Sequence, residues 1–298
     1  MAHYSKGGEK MNSKKFKVSR VFIYTAVILI AVFCLLPMIL VLVTSFTSEA
    51  AILKNGYSFF PESWSLEAYK TLFAKSDTII TSYIVTTLVT IVGTFISVVI
   101  TYTAGFVLAN QQFKYRNGFA LFFFITTIFS AGLVPQYLII KNMGMYDTLW
   151  ALIIPGCFSP FNMFLVRNFI NGIPFSLMES ARVDGAGLLT ICGKIYMPIS
   201  KPVIATITLF YGIGYWNNYF NSLMFVDKSS LHTLQMILFR LQSDVQMMKQ
   251  LTTGIVRNPP AEGIKMATAV ITIGPIILLY PFLQKYFIKG IIVGAVKG

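Results

Sequence analysis

The chain has 298 residues, of which 55% are hydrophobic and 12% charged, and its formal net charge is +13. Several nearly charge-free apolar runs of about 20 residues exclude an ordinary soluble domain and point to membrane-spanning helices. The basic excess lies in short connectors between those runs rather than on one amphipathic surface, which excludes a nucleic-acid-binding pattern.

In chain order, residues 1–20 form a basic leader carrying Lys6, Lys10, Lys14, Lys15, Lys17 and Arg20, read as a solvated cytoplasmic tail. The first predicted span is 21–46, with Pro37 as a tolerated kink. It is too long for a signal-peptide core, so it is expected to stay in the membrane. In the loop to about Thr78, Ser65 is placed to cap a short amphipathic helix with Leu66, Tyr69, Leu72 and Phe73 on one face. The second span is 79–109. The third, 119–140, is interrupted by Gly132 and Pro135, and the fourth, 149–170, by Pro155 and Pro160. A fifth, 203–226, follows a polar segment over 173–202. The connector 227–262 carries the turn signal Asn258-Pro259-Pro260, and 264–288 is the sixth span. Cys34, Cys157 and Cys192 imply no disulfide framework, since two lie in apolar runs and one in the 173–202 segment.

Six spans put both termini on one side. With the N-terminus, the second connector, the 173–202 segment and the C-terminus inside, 15 of the 24 Lys and Arg residues lie on that side and 9 outside. This bias predicts an all-α integral membrane protein with N-in, C-in topology. The spans hold no Asp, Glu, Lys or His at mid-depth, which argues against proton coupling. The stretch Gly187 to Lys194 fails as a Walker A loop. It has five residues between its glycines, Ile195 where Ser or Thr belongs, and no preceding strand. Uphill transport would need energy from a partner.

The segment 173–202, IPFSLMESARVDGAGLLTICGKIYMPISKP, organises the rest. Ser176 with Glu179 three residues on suggests a capping box opening a short surface helix over 176–186, and Gly185 suits a sharp turn with positive φ. A second short helix is expected over 188–195, ending near Pro198, with Pro202 at the entry to the fifth span. Together they make a rigid helix–turn–helix knob, in which Glu179 and Arg182 could form a local surface pair.

Glu179, Ala181, Gly185, Ile195 and Pro198 reproduce the spacing E-A-A, three residues, G, nine residues, I-x-L-P, with Ser180 and Met197 departing conservatively. That pattern resembles the cytoplasmic EAA loop of permease subunits in ABC importers. The outer SWSLEAYKTLF, the VRNF before the loop and the terminal GAVKG look like the carbohydrate class, the maltose-transporter type, and within it the Gram-positive complex-oligosaccharide subgroup. The resemblance implies the type I importer permease fold and a multi-pass location in a bacterial plasma membrane. It implies that Glu179, Ser180, Ala181, Asp184, Gly185, Ala186, Ile195 and Pro198 couple the chain to a cytoplasmic ATPase. It further implies a second homologous permease, two ATPase subunits that bind ATP and magnesium in this chain's stead, and an extracellular sugar-binding lipoprotein delivering an oligosaccharide. No catalytic residue, cofactor or metal belongs to this chain on that reading. By the same resemblance 252–263 would meet the binding protein, and the tail with Gly290, Gly294 and Gly298 would reach between the ATPase subunits.

The fifth span contains YGIGYWNNYFNS. At helical spacing Tyr211, Tyr215, Asn218 and Ser222 share a face, and with Trp216, Asn217 and Asn221 they are candidate contacts for a neutral carbohydrate. The same residues also suit an aromatic belt with helix-bridging asparagines. Rival functions are a permease for another solute such as glycerol phosphate, which would want basic residues in the cavity, and a secondary carrier, which would work without partners.

Overall fold

The computed structural model describes residues 8–74, 76–251, 262–274 and 277. Most of the sixth predicted span, the 252–261 stretch and the C-terminal tail therefore lie outside the described residues. Contacts divide the chain into two compact units, residues 1–72 with 255–270, and residues 73–254 with 271–298. Among the described residues the sole strand-like pairing is an isolated antiparallel bridge from Thr47 to Trp64.

In the first unit α1 runs Gly8–Ser45, reaching back into the predicted leader and passing through Pro37. Its apolar residues from Val21 to Phe33 are largely exposed, as expected of a helix solvated by lipid. A short α2, Glu49–Asn55, is capped by Ser48, whose side chain accepts from the Ala51 amide, and ends at Gly56 with φ 71°. α3 is Glu67–Ala74. Ser65 does cap it, its Oγ accepting from Glu67 N at 3.1 Å. The buried face differs from the expected one. Ala68 and Leu72 are buried and Tyr69 is half-buried, whereas Leu66 and Phe73 are exposed. Tyr69 stacks on Phe46 at 4.9 Å and shares a 2.9 Å hydrogen bond with Ser45 Oγ.

The same unit holds the start of a later helix, residues 262–274. The Glu49 carboxylate accepts from the amides of Glu262 at 3.1 Å and Gly263 at 3.0 Å, capping donors that have no partner inside a helix. Tyr57 donates to Glu262 Oε2 at 2.8 Å. Burial and that neighbouring carboxylate push the Tyr57 phenol up to about 12.

The second unit is organised around α4, Ser76–Ala109, the second predicted span. The third predicted span is two helices, α5 at Arg116–Ile128 and α6 at Leu133–Asn142, meeting at 114°. Gly132 takes φ 84° at the bend, and Pro135 sits in the first turn of α6, where a missing N–H is harmless. The fourth span breaks likewise, into α7, Leu149–Ile153, a 3₁₀ turn Ile154–Gly156 and α8, Pro160–Asn171, bent by 48°. α8 opens with Ser159 as cap and Pro160 at its first position. α9 is Ser176–Val183, and a helical run follows as α10, Leu188–Thr190, a π turn Ile191–Tyr196 and α11, Met197–Ile199. α12, Lys201–Trp216, departs from that run at 84°. α13 is Phe220–Phe225 and α14 is Leu234–Leu251. The fifth predicted span therefore stops at Trp216 and restarts at Phe220.

α4 packs along both α8 and α12. Close approach is possible because glycines face large side chains. A Cβ added at Gly105 would lie 2.7 Å from Val166, and one at Gly93 would lie 2.7 Å from the Tyr215 ring.

Candidate functional site

The 173–202 segment has a buried face and a presented face. Met178 and Ala181 of α9, with Ile191, Cys192 and Tyr196 of the following run, join one core cluster with Tyr102, Phe106 and Ala109 of α4. Tyr102 donates to the Cys192 carbonyl at 3.4 Å, and the Phe106 and Tyr196 rings meet edge-on at 5.4 Å. The knob is thereby seated on the Ala109 end of α4.

The turn after α9 is the reason for Gly185. Its φ is 79°, and its amide donates to the Arg182 carbonyl at 2.9 Å while Ala186 N donates to the Ala181 carbonyl at 2.9 Å. These two bonds are the Schellman ending of a helix, which requires a left-handed residue at this position. Ala186 then packs on the core cluster. The expected positive φ is present. The expected capping box is not: α9 already includes Ser176, so the cap position falls to Phe175, which makes no side-chain cap hydrogen bond. Backbone bonds from Leu177 to the Pro174 carbonyl, and from Met178 and Glu179 to the Phe175 carbonyl, open the helix instead.

The second helical run ends next to Pro198, as expected. The run continues to Ile199, and a π turn over Ile191–Tyr196 lies immediately before the proline. A proline ring clashes with the carbonyl four residues back and offers no N–H, and a widened turn relieves both demands.

On the presented face Glu179, Ser180, Asp184 and Gly185 are exposed, as is Pro198, while Ile195 is half-buried. Glu179 and Arg182 make no ion pair with each other. Val183 at 88% and Leu189 at 89% are the most exposed large apolar residues of the knob. Two apolar side chains are thus exposed on a core-anchored loop that also presents Glu179 and Asp184. Sequence reasoning missed both, although an apolar residue on either side of the D-G-A-G turn was a signal to hand.

The candidate solute residues fall into two groups. Tyr211, Tyr215 and Trp216 are buried, and their polar atoms are bonded within the protein. The Tyr211 hydroxyl pairs with Thr101 Oγ1 at 2.6 Å and accepts from Ser159 N at 2.9 Å. The Tyr215 hydroxyl pairs with Ser97 Oγ at 3.0 Å and donates to the Ile153 carbonyl at 2.9 Å. Trp216 Nε1 donates to the Thr272 carbonyl at 3.0 Å. The two tyrosines thus satisfy backbone groups on either side of the break between α7 and α8, which the membrane would otherwise leave bare. The face expected to join Tyr211, Tyr215, Asn218 and Ser222 does not run through, because α12 ends first. Asn218 Oδ1 accepts from Asn221 N at 2.9 Å, a local bond that starts α13 in place of continuing α12. Asn221 is buried, and Asn217 is exposed with its Oδ1 accepting from Gln235 Nε2 at 3.0 Å. The clamp partners Ser97 and Thr101 also went unnoticed, yet their four-residue spacing on α4 matches that of Tyr211 and Tyr215 on α12.

The chain belongs to the family described as binding-protein-dependent transport system inner membrane component, whose profile matches residues 101–293. It is 38% identical over 269 residues to the protein LplC of Bacillus subtilis, covering 89% of this chain and 90% of that one. It is 35% identical to the polygalacturonan/rhamnogalacturonan transport system permease protein YtcP of the same organism, over 95% of this chain and all of the relative. In three dimensions it resembles a chain from the crystal structure of a bacterial ABC transporter involved in the import of the acidic polysaccharide alginate. There the TM-score is 0.78 with 29% identity, covering 96% of this chain and 100% of the other.

Proposed function

We propose that this chain is the membrane permease subunit of an ATP-driven importer for an oligosaccharide, in a bacterial plasma membrane with both termini cytoplasmic. The observation that carries the coupling role is the knob, with a buried seat on α4, a left-handed Gly185 and the exposed pair Val183 and Leu189. It docks in a cytoplasmic ATPase subunit, Glu179 meeting a basic residue there, and Asp184, Gly185 and Ala186 shape the turn. Because Met178, Ile191 and Tyr196 are packed against Tyr102 and Phe106, a push on the knob is delivered to α4 as a rigid displacement. A second permease of the same family completes the pathway, and an extracellular binding protein delivers the sugar. Of the solute candidates we assign the sugar contact to Asn217, because its side chain is exposed, while Tyr211 and Tyr215 hold the bent fourth span in shape.

The test is affinity purification of the tagged chain from its native membrane, with mass spectrometry of the co-purifying proteins and uptake assays on variants. A second permease, an ATPase and a sugar-binding protein are expected, with Glu179→Lys and Val183→Asp losing the ATPase and uptake together. Recovery of this chain alone with transport intact would mean a secondary carrier.

A further inference from the structure

Apart from the knob, the second unit has a groove that the transport reading leaves unused. It lies between α4 and α5, has a volume of about 420 Å³, and is walled by Ile100, Ala104 and Val107 on one side and Phe113, Phe119 and Phe123 on the other. Phe113 and Phe119 stack at 5.8 Å, which makes one wall a flat aromatic face. The polar residue in the lining, Thr103, turns its hydroxyl back onto the carbonyls of Val99 at 2.8 Å and Ile100 at 3.0 Å. The groove thus offers mainly hydrocarbon contact.

From Ile100 to Leu108 the helix rises about 12 Å, so the groove offers an apolar track along which an extended hydrocarbon chain can lie. At the end of the groove the connector between α4 and α5 carries Lys114 and Arg116, exposed and half-buried respectively. Neither is in an ion pair among the described residues, and Lys114 Nζ lies 5.7 Å from the centre of the Tyr115 ring. This basic end is on the same side of α4 as the knob, because Tyr102 and Phe106 contact Cys192 and Tyr196. Lipid tails are as apolar as the groove walls, so the groove alone confers little preference, and selection falls to the charge at its mouth.

We propose that the groove between α4 and α5 binds one anionic glycerophospholipid, with an acyl chain along Ala104 and Val107 and the phosphate held by Lys114 and Arg116. The lipid lies in the leaflet that faces the knob and fills the space beside the helix on which the knob is seated.

The test uses the transporter purified with whatever subunits accompany it. Native mass spectrometry compares retention of phosphatidylglycerol with phosphatidylcholine of identical chains. The wild type should retain phosphatidylglycerol at least tenfold more strongly. Lys114→Gln with Arg116→Gln should weaken that retention by roughly 25-fold, at about fivefold for each basic residue near an anionic surface, and leave phosphatidylcholine unchanged. Phosphatidylglycerol with a photoreactive group in its acyl chain should label residues 100–123, and Ala104→Phe should remove the label. Equal retention of the two lipids, no effect of the paired substitution, or labelling elsewhere would each overturn the proposal. So would efficient cross-linking of Val107→Cys to a second permease, which would show a protein in the groove.

Discussion

Replacing Gly185 with alanine isolates the turn on which docking of the knob depends. Nothing lies within 4 Å of a Cβ added there, so the substitution creates no clash. What remains is the backbone penalty of an L-residue at φ 79°, about 1–2 kcal/mol. If the knob escapes that penalty by leaving its turn, the docking-competent population falls roughly 5–30-fold, and the apparent affinity for the ATPase subunit falls by the same factor. Gly187 is the internal control. A Cβ there also meets nothing within 4 Å, but its φ is −68°, which any residue adopts. Titration of the ATPase subunit onto the detergent-purified permease should show Gly185→Ala weakened by that factor and Gly187→Ala unchanged. Gly185→Asn should fall between them, because asparagine tolerates the left-handed region. Equal affinity for the two alanine variants would refute the reasoning, since they differ in the sign of φ and in little else.

Tyr215→Phe should keep the ring packing but leave the Ile153 carbonyl without its donor, lowering stability by about 1–3 kcal/mol in a detergent melting assay. Gly93→Ala puts a methyl 2.7–2.9 Å from ring atoms of Tyr215 that two hydrogen bonds hold in place. It should be destabilising by about 1–3 kcal/mol, and combining it with Tyr215→Leu should give less than the sum of the two. Glu49→Ala removes the cap on the helix at 262–274 and should lower stability by about 0.5–2 kcal/mol, with Glu49→Gln between it and the wild type. His232 is almost fully buried, and burial, followed by the Arg240 charge, holds its imidazole below its usual value against the opposing pull of Asp147 and Asp227. The unfolded chain therefore binds the proton more readily, so stability is full above the ordinary histidine pKa of about 6.5 and is lost as pH falls. Melting curves should show that acid-side loss in the wild type and a smaller one in His232→Leu, and identical pH profiles would remove His232 from consideration.

How much of this was legible depends on the range of the interaction that decides each feature. The membrane class, the presence of a turn at Gly185 and the cap at Ser65 depend on composition or on a few adjacent residues; the family agrees with the first, and the structure places the other two where the pattern put them. Gly132, Pro135, Pro155 and Pro160 announced interruptions, but a local breaker states only that regular hydrogen bonding stops. The bends of 114° and 48° depend on what the freed backbone groups bond to afterwards. Ser176 illustrates the converse. Its spacing to Glu179 favours a capping box, but the carbonyls of Pro174 and Phe175 have already begun the turn, so Ser176 lies inside the helix and not at its cap.

The sequence by itself determined that this chain lives in a membrane and carries a compact knob with a left-handed glycine, because hydrophobic run length and glycine's freedom are local properties. Only the tertiary structure decided which side chains the knob presents and which way the tyrosines of α12 point. Val183 and Leu189 are exposed because Met178, Ala181 and Ile191 take the places against α4. Tyr211 and Tyr215 point inward because the broken fourth span leaves Ser159 N and the Ile153 carbonyl in need of partners, and in hydrocarbon those partners must come from the protein.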